Sequence, residues 1–205
     1  MAKQKIVKFR GRTGKVYDVI AQVLEGFVDR LDYMTRKHPQ VSVSHMTIRL
    51  PIQAETHGAQ AIGTAVTLLR QELKKKDIAS QAGWVREIKD GREHFHLGFM
   101  WVPSYIQSAI SIGKRLDDIL HETLNLQNNQ ILVNVNMPCY PDFQNDLNLR
   151  SNYTIKIRRD ADGFENQAKN IIDWLAYLAK TETKGSHEEK HIREFGFSMY
   201  KKTEE

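Results

Sequence analysis

Cysteine is nearly missing from this chain: Cys139 is the only one in 205 residues. A single thiol excludes an internal disulfide and any cysteine-built zinc framework, and leaves Cys139 to be read as a small packed side chain. Long apolar runs are missing too. No stretch reaches the ~20 residues that a membrane-spanning helix needs. No apolar run follows the basic N-terminus, so no secretory signal is expected and the chain reads as cytoplasmic. There is no Gly-x-x-x-x-Gly-Lys-Ser/Thr phosphate loop, which argues against a built-in helicase motor. Internal repeats and low-complexity tracts are also lacking. What is present is ordinary for a globular protein. Hydrophobic residues make up 40% and charged residues 27%, and the length suits one sizeable domain with its own core.

Acidic residues are absent from the first fifteen positions, where Lys3, Lys5, Lys8, Arg10, Arg12 and Lys15 stand. The net charge is +5; removing those six leaves 24 basic residues against 25 acidic ones. The excess is therefore local. It marks residues 1–14 either as a basic arm that tracks phosphates or as a solvated tail. Residues 15–185 form the expected main domain, and 186–205 a charged C-terminal segment.

Apolar residues at Val16, Val19, Ile20, Val23, Leu24, Phe27 and Leu31 recur at helical spacing and predict a helix from Lys15 to about Lys37, ended at His38-Pro39. Residues 41–50 alternate as a strand, with Val43, His45 and Thr47 on one face and Met46, Ile48 and Leu50 on the other. A second helix is expected over 59–75, a hairpin over 83–102 and a third helix over 104–124. Residues 131–136 and 153–158 are strand candidates, and the segment between them, with Pro138 and Pro141, reads as a loop. A last helix is expected from Gly163 to Thr181. Helices interleaved with hairpin-like strands predict an α+β fold, an antiparallel sheet with helices packed on it.

The hairpin carries the chemistry. Asp90-Gly91 is a strong two-residue turn signal, because the favoured turn needs positive φ at both positions. In that register Lys89 faces Arg92, Glu87 faces His94 and Val85 faces His96. Opposed side chains share a face, so Glu87, His94 and His96 converge. Phe95, Leu97, Phe99, Trp101, Trp84 and Arg86 take the other face, which is apolar enough to bury against helices. One carboxylate and two imidazoles make a divalent-cation site with open positions. The alternative is a solvated strand that happens to carry two histidines. Other His-x-His families fit less well: a histidine-triad hydrolase wants a third histidine where Gly98 stands, and a cupin wants a glutamate where Phe99, Met100 and Trp101 follow.

On the last helix Phe164, Ala168, Ile171, Leu175 and Leu178 form the apolar stripe. Tyr177 lies off it, with Asn170, Asp173 and Lys180, and Lys180 is three residues on, hence a neighbour. Such a tyrosine is displayed for chemistry or is a plain surface residue. A His-x-His strand followed far downstream by a helical Tyr-x-x-Lys resembles the HUH endonucleases, the rolling-circle replication initiators and relaxases. More narrowly, "EHFHLGFMW" with "YLAKTETKG" and the later Arg-x-Phe-Gly-x-Ser is similar to the inovirus-type replication-protein family of filamentous phages and prophages. The likeness spans roughly residues 40–200.

The resemblance implies an RRM-like antiparallel sheet of about five strands in an HUH endonuclease architecture. It implies Mg²⁺ or Mn²⁺ on His94 and His96, with Glu87 as third ligand. It implies Tyr177 as nucleophile, forming a 5′-phosphotyrosine link to DNA, and Lys180 offsetting charge near the phosphate or lowering the phenol's pKa. Single-stranded or hairpin origin DNA, a host helicase and a host polymerase are the implied partners, with no membrane involved. "SHMTIRLP" stands at the family's first-strand motif but matches it loosely, and DNA-contacting roles for His45 and Arg49 follow from that position.

Two rivals remain. One is a non-catalytic single-stranded nucleic-acid-binding protein, using the basic arm and sheet aromatics such as Phe95 and Phe99. The other is a zinc protease, since "HEEKH" at 187–191 spells H-E-x-x-H. Its densely charged surroundings, with fourteen residues after His191, favour a solvated helix turn instead.

Overall fold

Two ten-residue strands, β4 (Ser80–Lys89) and β5 (Arg92–Trp101), flank Asp90-Gly91, which themselves lie outside the described residues. Their register is the expected one: Lys89 pairs with Arg92, Glu87 with His94 and Val85 with His96. The computed structural model describes residues 5–11, 14–89, 92–127, 130–136, 153–180 and 195–199. The 137–152 segment, Cys139 and the 187–191 motif therefore lie outside the described residues.

Around this hairpin the chain runs β1 (Ile6–Arg10), β2 (Val16–Ile20), α1 (Ala21–Lys37), β3 (Gln40–Ile48), a 3-10 turn (Ile52–His57), α2 (Gly58–Lys75), then β4 and β5. It continues with α3 (Ala109–Leu124), β6 (Val133–Asn136), β7 (Ile155–Arg158), α4 (Phe164–Leu178) and β8 (Phe195–Phe197). The main sheet is ordered β6-β3-β5-β4-β8, with β7 also pairing β3, and every pairing among the described residues is antiparallel. The unit β3-α2-β4-β5-α3-β6 is a split βαβ arrangement, consistent with an RRM-like sheet. The class is α+β, as expected. No helix among the described residues is long and apolar enough to cross a membrane.

Strand alternation divides the core in two. Phe95, Leu97, Phe99 and Trp101 of β5 join Met46, Ile48, Ile62, Leu69, Ile112 and Leu116 beneath α2 and α3. On the opposite face Val43, Val85 and Met100 meet Phe27 and Leu31 of α1 and Ile171, Leu175 and Leu178 of α4. Each fully buried side chain of this kind contributes roughly 1.5–3 kcal/mol.

Two expectations change. Val16–Ile20 is a strand rather than the first turn of α1. Val16, Val19 and Ile20 fit a helical period, but β-branched and aromatic residues also suit a pleated surface. The tie is broken by β1, which pairs with β2 from Ile6↔Ile20 to Arg10↔Val16. Residues 6–10 of the basic arm are thus one strand of a ribbon. The third helix starts at Ala109 rather than Ser104, with Ser108 as N-cap accepting from the Ile110 amide. The preceding residues stay outside the helix, with a bend at residues 104–105, and the Trp101 indole donates to the Ile106 carbonyl at 2.7 Å.

Gly83 and Gly98 face one another across β4 and β5, on the α1/α4 side. A Cβ on Gly98 would lie 2.6 Å from Phe27 Cε1 and 2.9 Å from Leu175 Cδ2. The missing side chain lets α1 and α4 seat directly on the sheet. The described part of the C-terminal motif is structural: Phe197 meets Phe27 edge-on at 5.2 Å, and Arg30 stacks on Phe197 at 4.4 Å. Arg30 also donates to the Ser198 carbonyl, and Ser198 Oγ accepts from the Ala82 amide at 2.9 Å. This closes β8 against the sheet edge. Substituting Gly98→Val should destabilise the fold by about 1–3 kcal/mol through overpacking, read as a lower urea midpoint. An unchanged midpoint would show that the glycine is not what seats the two helices.

Candidate metal centre

In the β4–β5 register Glu87, His94 and His96 project from the same face. Glu87 Oε2 lies 2.7 Å from His94 Nε2 and in closer contact still with His96 Nε2. The two imidazole rings stand 5.0 Å apart at 78°. One ligand atom from each of the three residues falls within 4.8 Å of the others. Glu87 and His96 are buried and His94 half-buried, so the carboxylate has little water to solvate it. A buried carboxylate needs a compensating positive partner, which a protonated imidazole or a cation can be. The donor set, one carboxylate oxygen and two imidazole nitrogens on rigid strands, fits a divalent cation.

Beneath His96 lies a second layer. Thr47 pairs with His96 across β3–β5, and His45 with Gly98. His45 Nε2 is 3.0 Å from His96 Nδ1, and Thr47 Oγ1 is 3.4 Å from the same nitrogen. The Asn136 amide of β6 donates to Thr47 Oγ1 at 2.8 Å. Trp174 of α4 packs edge-on against His45 at 5.7 Å. With His96 Nδ1 turned to this group, its Nε2 is directed at Glu87, the outer-layer support usual for a ligating histidine. His45 was expected to contact DNA; it is buried instead and reaches the site through His96. The period-2 pattern places His45 and Thr47 on one strand face, but only the β3–β5 register shows that His96 lies on that same face.

The last helix brings Tyr177 to this centre. Ile171, Leu175 and Leu178 anchor α4 in the core, while Tyr177 is half exposed at 51%. Its ring centre lies 6.4 Å from that of His96, at 87°. Lys180 Nζ sits 4.3 Å from the Tyr177 ring centre. Asn170 and Asp173, grouped with Tyr177 on the polar side of the helical wheel, are buried. The wheel shows the stripe but not the β1–β2 ribbon, which covers that side: Gly11 approaches Asp173 closely enough that a Cβ there would lie 3.6 Å from Oδ2.

Among the basic residues, Lys5, Lys8, Arg10 and Lys15 are exposed on or beside the ribbon, and Lys8 pairs with Asp18 at 3.2 Å. Lys3 and Arg12 lie outside the described residues. Arg49 is exposed just past the end of β3. Phe95 and Phe99 are fully buried under α2 and α3, so these two aromatics offer no stacking platform.

A scan against family models, a search of curated proteins and a search of solved structures each found no match. Isothermal titration with Mn²⁺ should detect binding that His94→Ala and His96→Ala each abolish. His45→Ala should weaken it by about 10–100-fold, the range for loss of an outer-layer partner. An unchanged affinity in His45→Ala would detach that residue from the centre.

Proposed function

We propose that this chain cuts and rejoins single-stranded DNA in a metal-dependent reaction through a 5′-phosphotyrosine intermediate, as an HUH-type initiator of rolling-circle replication. The observation that carries the reading is the 6.4 Å packing of the Tyr177 ring against His96, with a half-exposed phenol near the Glu87, His94 and His96 cluster. The resemblance in the sequence supplies the reaction class.

His94, His96 and Glu87 would hold Mg²⁺ or Mn²⁺, whose chemistry when bound is to polarise a non-bridging phosphate oxygen and orient the scissile group. Tyr177 Oη attacks phosphorus, forming the tyrosyl–phosphate bond as the bond to the 3′ oxygen breaks. The phenol proton leaves to solvent, and the departing oxygen takes one up as a 3′ hydroxyl that can prime synthesis. Lys180, at 4.3 Å from the Tyr177 ring, favours the phenolate as it forms and offsets charge on the phosphate. The covalent link retains the energy of the phosphodiester, so a later DNA hydroxyl can displace Tyr177 and reseal the strand. The exposed cations Lys5, Arg10, Lys15 and Arg49 are the available contacts for the DNA backbone. Unwinding falls to a host helicase and synthesis to a host polymerase.

Incubation with labelled single-stranded origin DNA and Mn²⁺ should give a covalent adduct on a denaturing gel. Tyr177→Phe should remove the adduct while leaving DNA affinity nearly unchanged, and Lys180→Ala should slow its formation on the order of 10²-fold. DNA binding with no adduct in either metal would favour a non-catalytic binding protein.

A further inference from the structure

Lys180 does not lie over Tyr177 alone. Its ammonium is 4.0 Å from the ring centre of Tyr17 and 4.3 Å from that of Tyr177, so it stands between two aromatic rings from opposite ends of the chain. The arrangement is fixed by backbone. Val19 of β2 bridges to Lys180 in antiparallel fashion, and the Ile20 amide donates to the Ala179 carbonyl at 2.8 Å. The ribbon is thereby joined to the C-terminal end of α4. Tyr17 is two residues before Val19 and shares its strand face. It sits opposite Phe9, partly buried against the α1/α4 core.

We infer that Tyr17 is a positioning residue for the nicking reaction: its ring holds the Lys180 ammonium at the Tyr177 phenol. The inference rests on the nicking role assigned above. A lysine side chain has four rotatable carbons and loses substantial rotamer freedom when held in one place. The negative face of an aromatic ring attracts an ammonium within about 6 Å, and two such rings leave Lys180 little room to swing away. Lys15 adds a second cation 5.6 Å from the Tyr17 ring centre, so the ribbon brings positive charge to the same edge of the site. The strand that displaced the expected start of α1 is thus part of the catalytic surroundings rather than a separate arm.

The test uses full-length protein with Tyr17→Phe and Tyr17→Leu. Phenylalanine keeps the ring face; leucine keeps apolar packing but removes it. Two readouts are needed. In NMR spectra of side-chain-labelled lysine, assigned with Lys180→Arg, the Lys180 ε-methylene signal should lie upfield through ring currents. That shift should persist in Tyr17→Phe and diminish in Tyr17→Leu. In single-turnover adduct formation with single-stranded DNA and Mn²⁺, Tyr17→Leu should be slower by about tenfold, within the range of a lost cation–π contact. Tyr17→Phe should stay close to wild type, and the Mn²⁺ affinity of both should be unchanged.

A Tyr17→Leu protein that forms adduct at the wild-type rate, or whose Lys180 signal does not move, overturns the inference while the nicking role stands. So does a Tyr17→Phe protein as slow as Tyr17→Leu, because the hydroxyl rather than the ring would then be acting. Wild-type protein that forms no adduct overturns the nicking role, and with it the role given to Tyr17.

Discussion

Glu87 is a carboxylate with little access to water, set against two imidazoles by the pairing of two strands. A buried carboxylate left alone would cost several kcal/mol, so the β4–β5 register that provides its partners also decides what the site can be. A slip of one residue would turn Glu87, or both histidines, to the opposite face, under α2 and α3. The apolar set Phe95, Leu97, Phe99 and Trp101 opposes that slip, because it would have to leave the core. The packing of one face thus secures the chemistry of the other.

The second constraint is the seat of α4. Gly98 lies on the same strand face as His94 and His96 and directly beyond them. Where a side chain would have pushed the helices off, Phe27 and Leu175 come down onto the backbone. Tyr177 is two residues beyond Leu175, and this close approach delivers its ring to His96. The β1–β2 ribbon then covers the polar side of α4 and carries Tyr17 to Lys180. Helix, ribbon and hairpin meet at one place although they are far apart in the chain.

The hairpin is legible in the sequence because its determinants are local: an Asp-Gly turn signal, alternation from His94 to Gly98 and an apolar face long enough to admit one register. The same holds for the α4 stripe, where Ile171, Leu175 and Leu178 read correctly as buried. β2 is not legible, because Val16, Val19 and Ile20 satisfy both periods and the deciding partner, β1, lies across a turn. The burial of Asn170 and Asp173 is hidden for the same reason. His45 shows a further limit: the strand pattern gives its face, but its place under His96 depends on the pairing of β3 with β5, strands separated by a helix and a third strand. Tyr17 could not be connected with Lys180 while its segment was read as helix. Local rules thus bring Glu87, His94 and His96 to one face, and long-range pairing supplies the groups packed around them.

The central claim is that Glu87, His94 and His96 grip one cation beside the Tyr177 phenol. A crystal structure of the protein with Mn²⁺, phased to show the metal's anomalous signal, tests it most directly. A single strong peak is expected at about 2.0–2.3 Å from both Nε2 atoms and a Glu87 carboxylate oxygen, with the Tyr177 ring still against His96. A peak elsewhere, no peak at millimolar Mn²⁺, or a Tyr177 turned away from the bound ion would contradict it.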